Sequence, residues 1–220
     1  RPALRPLGLM RSVRHLVIFL RAPQRGAVKR RLARDIGERA ALGFYQNMSR
    51  SLVTSLARAQ NHGGNGGGNW QTVLAVTPDH FASSARFWPK GIRRVGQGRG
   101  SLGARMGRVL DQLPPGPAII IGSDIPNITP FLIRQAFDRL DQHEAVFGPA
   151  LDGGYWLVGL GRRRRRFVGR LFSSVRWSSA HALADTRANL GPGLEGPPLP
   201  ALEDVDDGAA FERWVQDTRI

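Results

Sequence analysis

Two carboxylates in this sequence stand where a hard cation would need them. Asp124 ends the apolar run PAIIIGSD (residues 117–124), and Pro126 stops that run from continuing as a strand, so its carboxylate is expected at a fixed sheet terminus. Two roles suit an Asp there: a cap for the helix starting near Thr129, or an oxygen ligand to the divalent cation that phosphate chemistry uses. Near the other end, LEDVDDGAAF places Glu203, Asp204, Asp206 and Asp207 within five residues. Such carboxylates repel one another unless solvated or neutralised by a cation, and a helix N-terminus accounts for only one or two of them. Asp206 is the residue expected to face Asp124 across a metal.

RAPQRGAVKRRL (21–32) links the first apolar run to the first helix and carries Gly26, Lys29 and Arg31. Backbone N–H groups in such a turn favour phosphate oxygens, and a lysine adds a compact charge. The segment is not a Walker A loop, because GxxxxGK[ST] is absent. AVFGPALDGGYWLVGL (145–160) contains two apolar runs split by Asp152, Gly153, Gly154 and Tyr155, a break that a buried hairpin alone rarely needs. The five histidines show no HxH or HExxH spacing, no GxSxG elbow occurs, and the absence of cysteine excludes thiolate metal sites and a cysteine nucleophile.

These residues need elements to position them. HLVIFL (15–20), WQTVLAVT (70–77), residues 92–95, PAIIIGSD (117–124), 145–149 and 155–160 read as strands, the first of them buried on both faces as in a parallel sheet. Apolar residues recur at helical spacing from Lys29 to Ala59, as one long helix or two consecutive ones. Further helices are predicted after Pro78, through Leu110, over 129–140 with Thr129 as cap and Pro130 at the first position, near 178–190 and near 207–217. NHGGNGGGN (61–69) reads as a flexible loop and residues 1–13 as a disordered basic lead-in. Alternating strands and helices predict one α/β domain over 14–220 with a mostly parallel central sheet flanked by helices. In such sheets ligands bind beyond the carboxyl ends of the strands, which singles out Arg21–Lys29, Thr77–Asp79, Gly122–Pro126 and Leu151–Gly154.

Composition limits the alternatives. With 220 residues, 41% hydrophobic and 22% charged, the chain has the makeup of one globular domain. Its apolar runs are too short to span a bilayer, and the N-terminal one is too short for a signal sequence, so a cytoplasmic location is expected. The net charge of +15 suits an anionic partner, yet Lys29 and Lys90 are the only lysines, a pattern that also follows from a high-GC coding bias. The run Arg162–Arg166 reads as a solvated segment or as an anion contact. It has no interleaved aromatics, and no recognised nucleic-acid motif occurs, so nucleic acid is not the expected partner.

Taken in order, HLVIFLRAPQRGAVKRRLA, QGRGSLGARM, IIIGSDIP, FGPALDGGYWLVGL, LFSSVRWSS and LPALEDVDD resemble a bacterial GT-A-fold family, the selenodomain-associated or arsenosugar-biosynthesis transferases of the nucleotide-diphospho-sugar transferase superfamily. The resemblance covers roughly residues 15–215. It implies a metal-dependent glycosyltransferase that uses a nucleotide-sugar donor and a small-molecule acceptor. It further implies that Lys29 and Arg31 contact donor phosphates, that Gln97, Gly98 and Gly100 lie beside the base, and that Asp124 and Asp206 hold Mg²⁺ or Mn²⁺. Gly153, Gly154 and Tyr155 would line the substrate pocket, and Asp152 would take the acceptor proton. The same superfamily contains nucleotidyltransferases that join a nucleoside triphosphate to a phosphorylated metabolite, which is the alternative enzyme reading. A basic nucleic-acid-binding module is the alternative from another class. The sequence departs from the family's motifs where KRRL replaces KTRL, SLGAR replaces DLGER, and DGAAF replaces TPEDL. Ser101 and Ala104 thereby remove two carboxylates near the nucleotide site.

Overall fold

A computed structural model describes residues 12–60, 69–84, 87–163 and 170–217. Most of the predicted lead-in, most of the glycine-rich loop and Arg164–Arg166 lie outside the described residues. Six strands form one sheet in the order β3-β2-β1-β4-β6-β5: β1 (Arg14–Arg21), β2 (Trp70–Thr77), β3 (Arg93–Gly96), β4 (Ala118–Ile121), β5 (Ala145–Pro149) and β6 (Tyr155–Leu160). β1 to β4 pair in parallel, and β6 runs antiparallel between β4 and β5. β5 therefore points the same way as β4, and the turn after it falls on the same edge as the carboxyl ends of β1, β2, β3 and β4.

Alternation along the strands feeds two cores. Leu16, Ile18, Leu20, Leu74, Val76, Ile119 and Ile121 face one side, where α2 (Glu38–Ala59) supplies Leu52, Val53 and Leu56, and α5 (Pro130–Leu140) supplies Ile133, Phe137 and Leu140. Val17, Val73, Ala75 and Ile120 face the other, against Met106, Val109 and Leu110 of α4 (Leu102–Asp111). The period of two is that of strands covered on both faces. The helical segment after Lys29 is two helices, α1 (Arg30–Ile36) and α2, separated by Gly37 at φ +84°. The break turns the buried face to Ala41 and Tyr45, whereas an unbroken spacing from Leu32 predicts Ala40 and Phe44.

Thr129 caps α5 by accepting from the Leu132 N–H at 3.3 Å, with Pro130 at the first position. The remaining helices are α3 (Phe81–Ser84), α6 (Ala182–Ala188), shorter than the predicted 178–190, and α7 (Gly208–Asp217). Among the described residues no helix is long and apolar enough to cross a membrane.

Two arginines of the basic run are spent on the fold. Arg162 donates to the carbonyls of Leu110, Leu113, Pro114 and Gly116. Arg163 donates to those of Leu140, Asp141 and His143. Both therefore satisfy carbonyls at helix C-termini and in the turns that follow, as basic side chains favour.

At the same end of the sheet His15 is 1% exposed. Burial, then the charge of Arg162, holds its imidazole in the neutral form with a pKa below the usual value. The unfolded chain takes up that proton near pH 6.5 while the folded chain resists it, so stability falls as the pH drops below that value. The expected loss from this group is at most about 1.4 kcal/mol per pH unit. Urea unfolding of the wild type at pH 7 and pH 5 should show a steeper decline than His15→Leu, and equal slopes would contradict it.

Candidate functional site

Chain order along the sheet fixes where a ligand can sit. From β1 the chain steps outward to β2 and β3, then returns to β4 on the other side of β1, so β1 and β4 diverge at a topological switch point. A recess of about 500 Å³ opens there, beyond the carboxyl ends of the parallel strands. Its floor includes Arg21, Thr77, Gln97, Ser123 and Asp124, and the β1–α1 segment Ala27–Arg31 forms one wall.

Lys29 is the pivot of the recess. It has φ +47°, a left-handed residue just before α1, and its side chain is 2% exposed. Arg21 pins the preceding turn by donating to the Ala27 carbonyl at 3.1 Å. The Lys29 ammonium donates to Asp206 Oδ1 at 2.7 Å and lies 3.5 Å from Asp124 Oδ1. Residues 29, 124 and 206, far apart in sequence, thus share one charge cluster. β4 ends at Ile121, so Asp124 stands in the turn beyond it. Because Thr129 does the capping of α5, the Asp124 carboxylate is left to face the recess.

Further carboxylates gather beside this pair. Burial pushes the Asp204 carboxyl up to about 6, helped by the charges of Asp206 and Asp152. Burial also raises the Asp206 carboxyl, but the charge and hydrogen bond of Lys29 outweigh it and leave its pKa below the ordinary carboxylate range. Among the described residues no group of three or more His, Asp or Glu side chains is arranged to hold a metal by itself. Two carboxylates with room for phosphate oxygens and water are nevertheless the donor set Mg²⁺ ordinarily takes beside a nucleotide.

Tyr45 escaped the sequence reading, and Ser123 was included only as part of the segment Gly122–Pro126. The Tyr45 hydroxyl donates to the Arg21 carbonyl at 2.8 Å and lies 3.3 Å from Ser123 Oγ. Burial, then the nearby Asp124, pushes the phenol well up, so it remains protonated and ties α2 to the ends of β1 and β4. A tyrosine on a mostly apolar helix face was the available signal.

The other proposed nucleotide residues are arranged as follows. Arg31 is exposed on the recess wall. Gln97 is buried, and its side-chain amide is used within the protein: Nε2 donates to Leu20 and Ala75 carbonyls, and Oε1 accepts from Arg105. Gly98 has φ +75°, and a Cβ there would strike the Arg108 guanidinium. Gly100, at φ +108°, precedes Ser101, which caps α4 by accepting from the Ala104 N–H. A serine thereby fills the capping role open to the aspartate it replaces.

Asp152 lies on the same sheet edge, in the β5–β6 turn, outside the residues lining the recess. Its Oδ1 accepts from the Gly154 N–H at 2.9 Å. Gly153, at φ +85°, is approached closely by the backbone of Ala180, and its carbonyl accepts from the Leu183 N–H. Tyr155 and Trp156 take opposite faces of the sheet and both pack inward. Tyr155 lies against Phe147 and Trp177, while Trp156 covers Gly148 and donates to the Pro200 carbonyl. The cluster around Lys29 therefore does not include Gly153, Gly154 or Tyr155.

Comparison with known proteins agrees with this architecture. The family model described as "Uncharacterized protein conserved in bacteria (DUF2064)" matches residues 64–179, more than half of the chain. No curated protein sequence matches. Among solved structures, a protein of Desulfovibrio desulfuricans G20 designated a nucleotide-diphospho-sugar transferase superposes with a TM-score of 0.74 at 26% identity, covering 88% of this chain and 82% of its own. Glucosyl-3-phosphoglycerate synthase of Mycobacterium tuberculosis, solved with Mn²⁺, UDP and glucosyl-3-phosphoglycerate, gives 0.54 at 13% identity, covering 94% and 76%. The 4-diphosphocytidyl-2C-methyl-D-erythritol synthase of Anaerococcus prevotii DSM 20548 gives 0.57 at 9% identity, covering 94% and 96%. The last two likenesses are of fold. The chain has the mixed α/β sheet of nucleotide-diphospho-sugar transferases.

Proposed function

The chain belongs to the DUF2064 family, and we propose that it is a metal-dependent glycosyltransferase that takes a nucleotide-sugar donor in the recess between β1 and β4. The observation that carries this reading is the Lys29 ammonium set between Asp206 and Asp124 at the switch point of the sheet. A buried cation beside two half-exposed carboxylates suits a ligand that brings negative charge and a cation of its own. The narrower resemblance to selenodomain-associated or arsenosugar-biosynthesis transferases rests on GSDIP and GPALDGGYWLVGL. The Mn²⁺ and UDP of the mycobacterial synthase support the choice of ligand class.

In this reading Lys29 and Arg31 hold donor phosphate oxygens, and Asp124 and Asp206 hold Mg²⁺ or Mn²⁺. When bound, the cation neutralises the negative charge that grows on the leaving diphosphate. Asp152 keeps one carboxylate oxygen on the Gly154 N–H and offers the other to the acceptor hydroxyl. The acceptor oxygen forms the new bond to the anomeric carbon, the bond from that carbon to the diphosphate breaks, and the acceptor proton passes to Asp152. Gln97, Gly98 and Gly100 contribute by shaping the base end of the recess, and Gly153, Gly154 and Tyr155 by holding the turn that carries Asp152.

Calorimetric titration with UDP, GDP, CDP and ADP, with and without Mn²⁺, tests the site. At least one should bind in a Mn²⁺-dependent manner, and Asp124→Ala should weaken that binding by more than about tenfold. If no nucleotide binds, the site reading fails. A second reading, nucleotidyl transfer, is favoured by the five basic residues Arg21, Lys29, Arg30, Arg31 and Arg105 around the recess, enough to suit a triphosphate. The product separates the two: a nucleoside diphosphate supports glycosyl transfer, and pyrophosphate supports nucleotidyl transfer.

A further inference from the structure

On the reading that a nucleotide occupies the recess, we propose that Arg105 selects its base, favouring a base with a carbonyl oxygen at the contact, uracil or guanine, over cytosine or adenine. The direction in which the nucleotide lies follows from the sheet. Lys29, Asp124 and Asp206 claim the diphosphate at the β1–β4 crevice. The recess then continues toward the ends of β2 and β3, where Thr77, Gln97, Leu102 and Arg105 line it. At ordinary strand spacing β4 and β3 lie about 14 Å apart, which leaves room for ribose and base beyond the phosphates.

Arg105 is unusual among the basic residues of this wall. Its guanidinium gives one hydrogen bond, from Nη1 to Gln97 Oε1 at 2.8 Å, and forms no ion pair with a carboxylate among the described residues. Its Nε is buried without a partner. Burial, then the neighbouring charge of Arg21, disfavours the protonated form, yet a guanidinium in a protein keeps its proton. A half-buried, permanently charged group with a buried N–H that no protein acceptor meets is costly to maintain, and an acceptor brought to the guanidinium by a ligand offsets that cost.

The neighbouring amide cannot do this reading. Gln97 spends Nε2 on two strand carbonyls and Oε1 on Arg105, so it is a positioning residue that fixes the guanidinium against the ends of β1 and β2. Arginine carries donors only. It welcomes O4 of uracil, or O6 and N7 of guanine, and it is mismatched with the exocyclic amino group that cytosine or adenine carries at the same place. A site built around such a donor rejects the amino analogue because polar groups are then left unpaired. Leu102 at the start of α4 supplies an apolar surface at the same end of the recess.

The test is titration of wild type, Arg105→Lys and Arg105→Gln with UDP, GDP, CDP and ADP in Mn²⁺, each protein checked by thermal unfolding. For wild type, UDP or GDP should bind at least about tenfold more tightly than CDP and ADP, and comparing UDP with GDP names the base. Arg105→Gln, whose amide both donates and accepts, should bring the ratio to within about threefold. Arg105→Lys keeps the charge but loses the fork, so the ratio should shrink with it as well, and this variant carries the test if the glutamine protein does not fold. Tighter binding of CDP or ADP by wild type, or a keto preference unchanged in the folded variants, overturns the assignment to Arg105 and leaves the site reading intact. Absence of binding by any nucleotide to wild type overturns both.

Discussion

Lys29→Met is expected to weaken Mn²⁺-dependent nucleotide binding by more than about a hundredfold and to destabilise the free protein by about 2 kcal/mol at pH 7. The binding loss follows from removing the buried charge that would face the phosphates. The stability loss has a different origin. Lys29 is the cation that holds Asp206 at 2.7 Å and Asp124 at 3.5 Å, with Asp204 close by, so its removal leaves a group of carboxylates facing one another. Breaking a fully buried pair costs about 3–5 kcal/mol, but Asp206 and Asp124 are 43% and 51% exposed, and solvent screens part of that.

The pH dependence checks the cause. Asp206 has a depressed pKa in the folded protein, so its contribution is present above the unfolded carboxylate value near 4 and is lost as the pH falls through the folded value. Lys29→Met lacks this contribution, so the two proteins should differ most at neutral pH and converge in acid. Added Mn²⁺ should raise the unfolding temperature of the variant more than that of the wild type, because it replaces the missing counter-charge. Equal stability of the two proteins at pH 7, or an unfolding temperature of the variant indifferent to Mn²⁺, would sink the argument.

The strands were legible because the sheet is buried on both faces, so HLVIFL, WQTVLAVT and AIII read as near-continuous apolar runs. Thr129 and Pro130 marked the start of α5 by local chemistry alone. Local pattern does not show which way a strand is inserted. The place of β6 between β4 and β5, antiparallel to both, is set by packing, while the 150–154 turn stays on the ligand edge expected for it from the sequence. Gly37 divides the first helical segment by adopting φ +84°, and sequence spacing left one helix or two open.

At the site, the residues alone paired Asp124 with Asp206 and the resemblance put Lys29 on donor phosphates, and the fold brings these three to one charge cluster. Arg105 and Tyr45 were passed over because their roles depend on burial and on partners that local pattern does not reveal, while Ser123 and Asp204 lay in stretches singled out for their neighbours Asp124 and Asp206. Arg105 is one arginine among many until Gln97, eight residues away, is seen to grip it. The arginine run holds more than solvated charge: Arg162 and Arg163, the latter exposed, also close the ends of α4 and α5 by donating to carbonyls.

Gly153→Ala carries the second large effect, and it concerns why ALDGGYW breaks a buried hairpin. Gly153 has φ +85°, where an L side chain is strained, and a Cβ there would run into the backbone of Ala180. Backbone offers no flexible end to move aside. The segment before α6 must therefore shift, and with it the hydrogen bond from the Leu183 N–H to the Gly153 carbonyl. A cost of about 3 kcal/mol is expected from the strain and the displacement together. Gly107→Ala is the control, since Gly107 lies within α4, has nothing within 4 Å of a built Cβ, and should gain about 0.5–1 kcal/mol. Urea unfolding at constant slope reads both. The same substitution bears on transfer, because Gly153 sits between Asp152 and the Gly154 N–H that orients it. Nucleotide binding at Lys29 and Asp124 should persist in Gly153→Ala while turnover falls by more than about tenfold. If binding and turnover fall together, the β5–β6 turn serves donor binding and not Asp152 alone; if neither falls, Gly153 does not position Asp152 for the proposed chemistry.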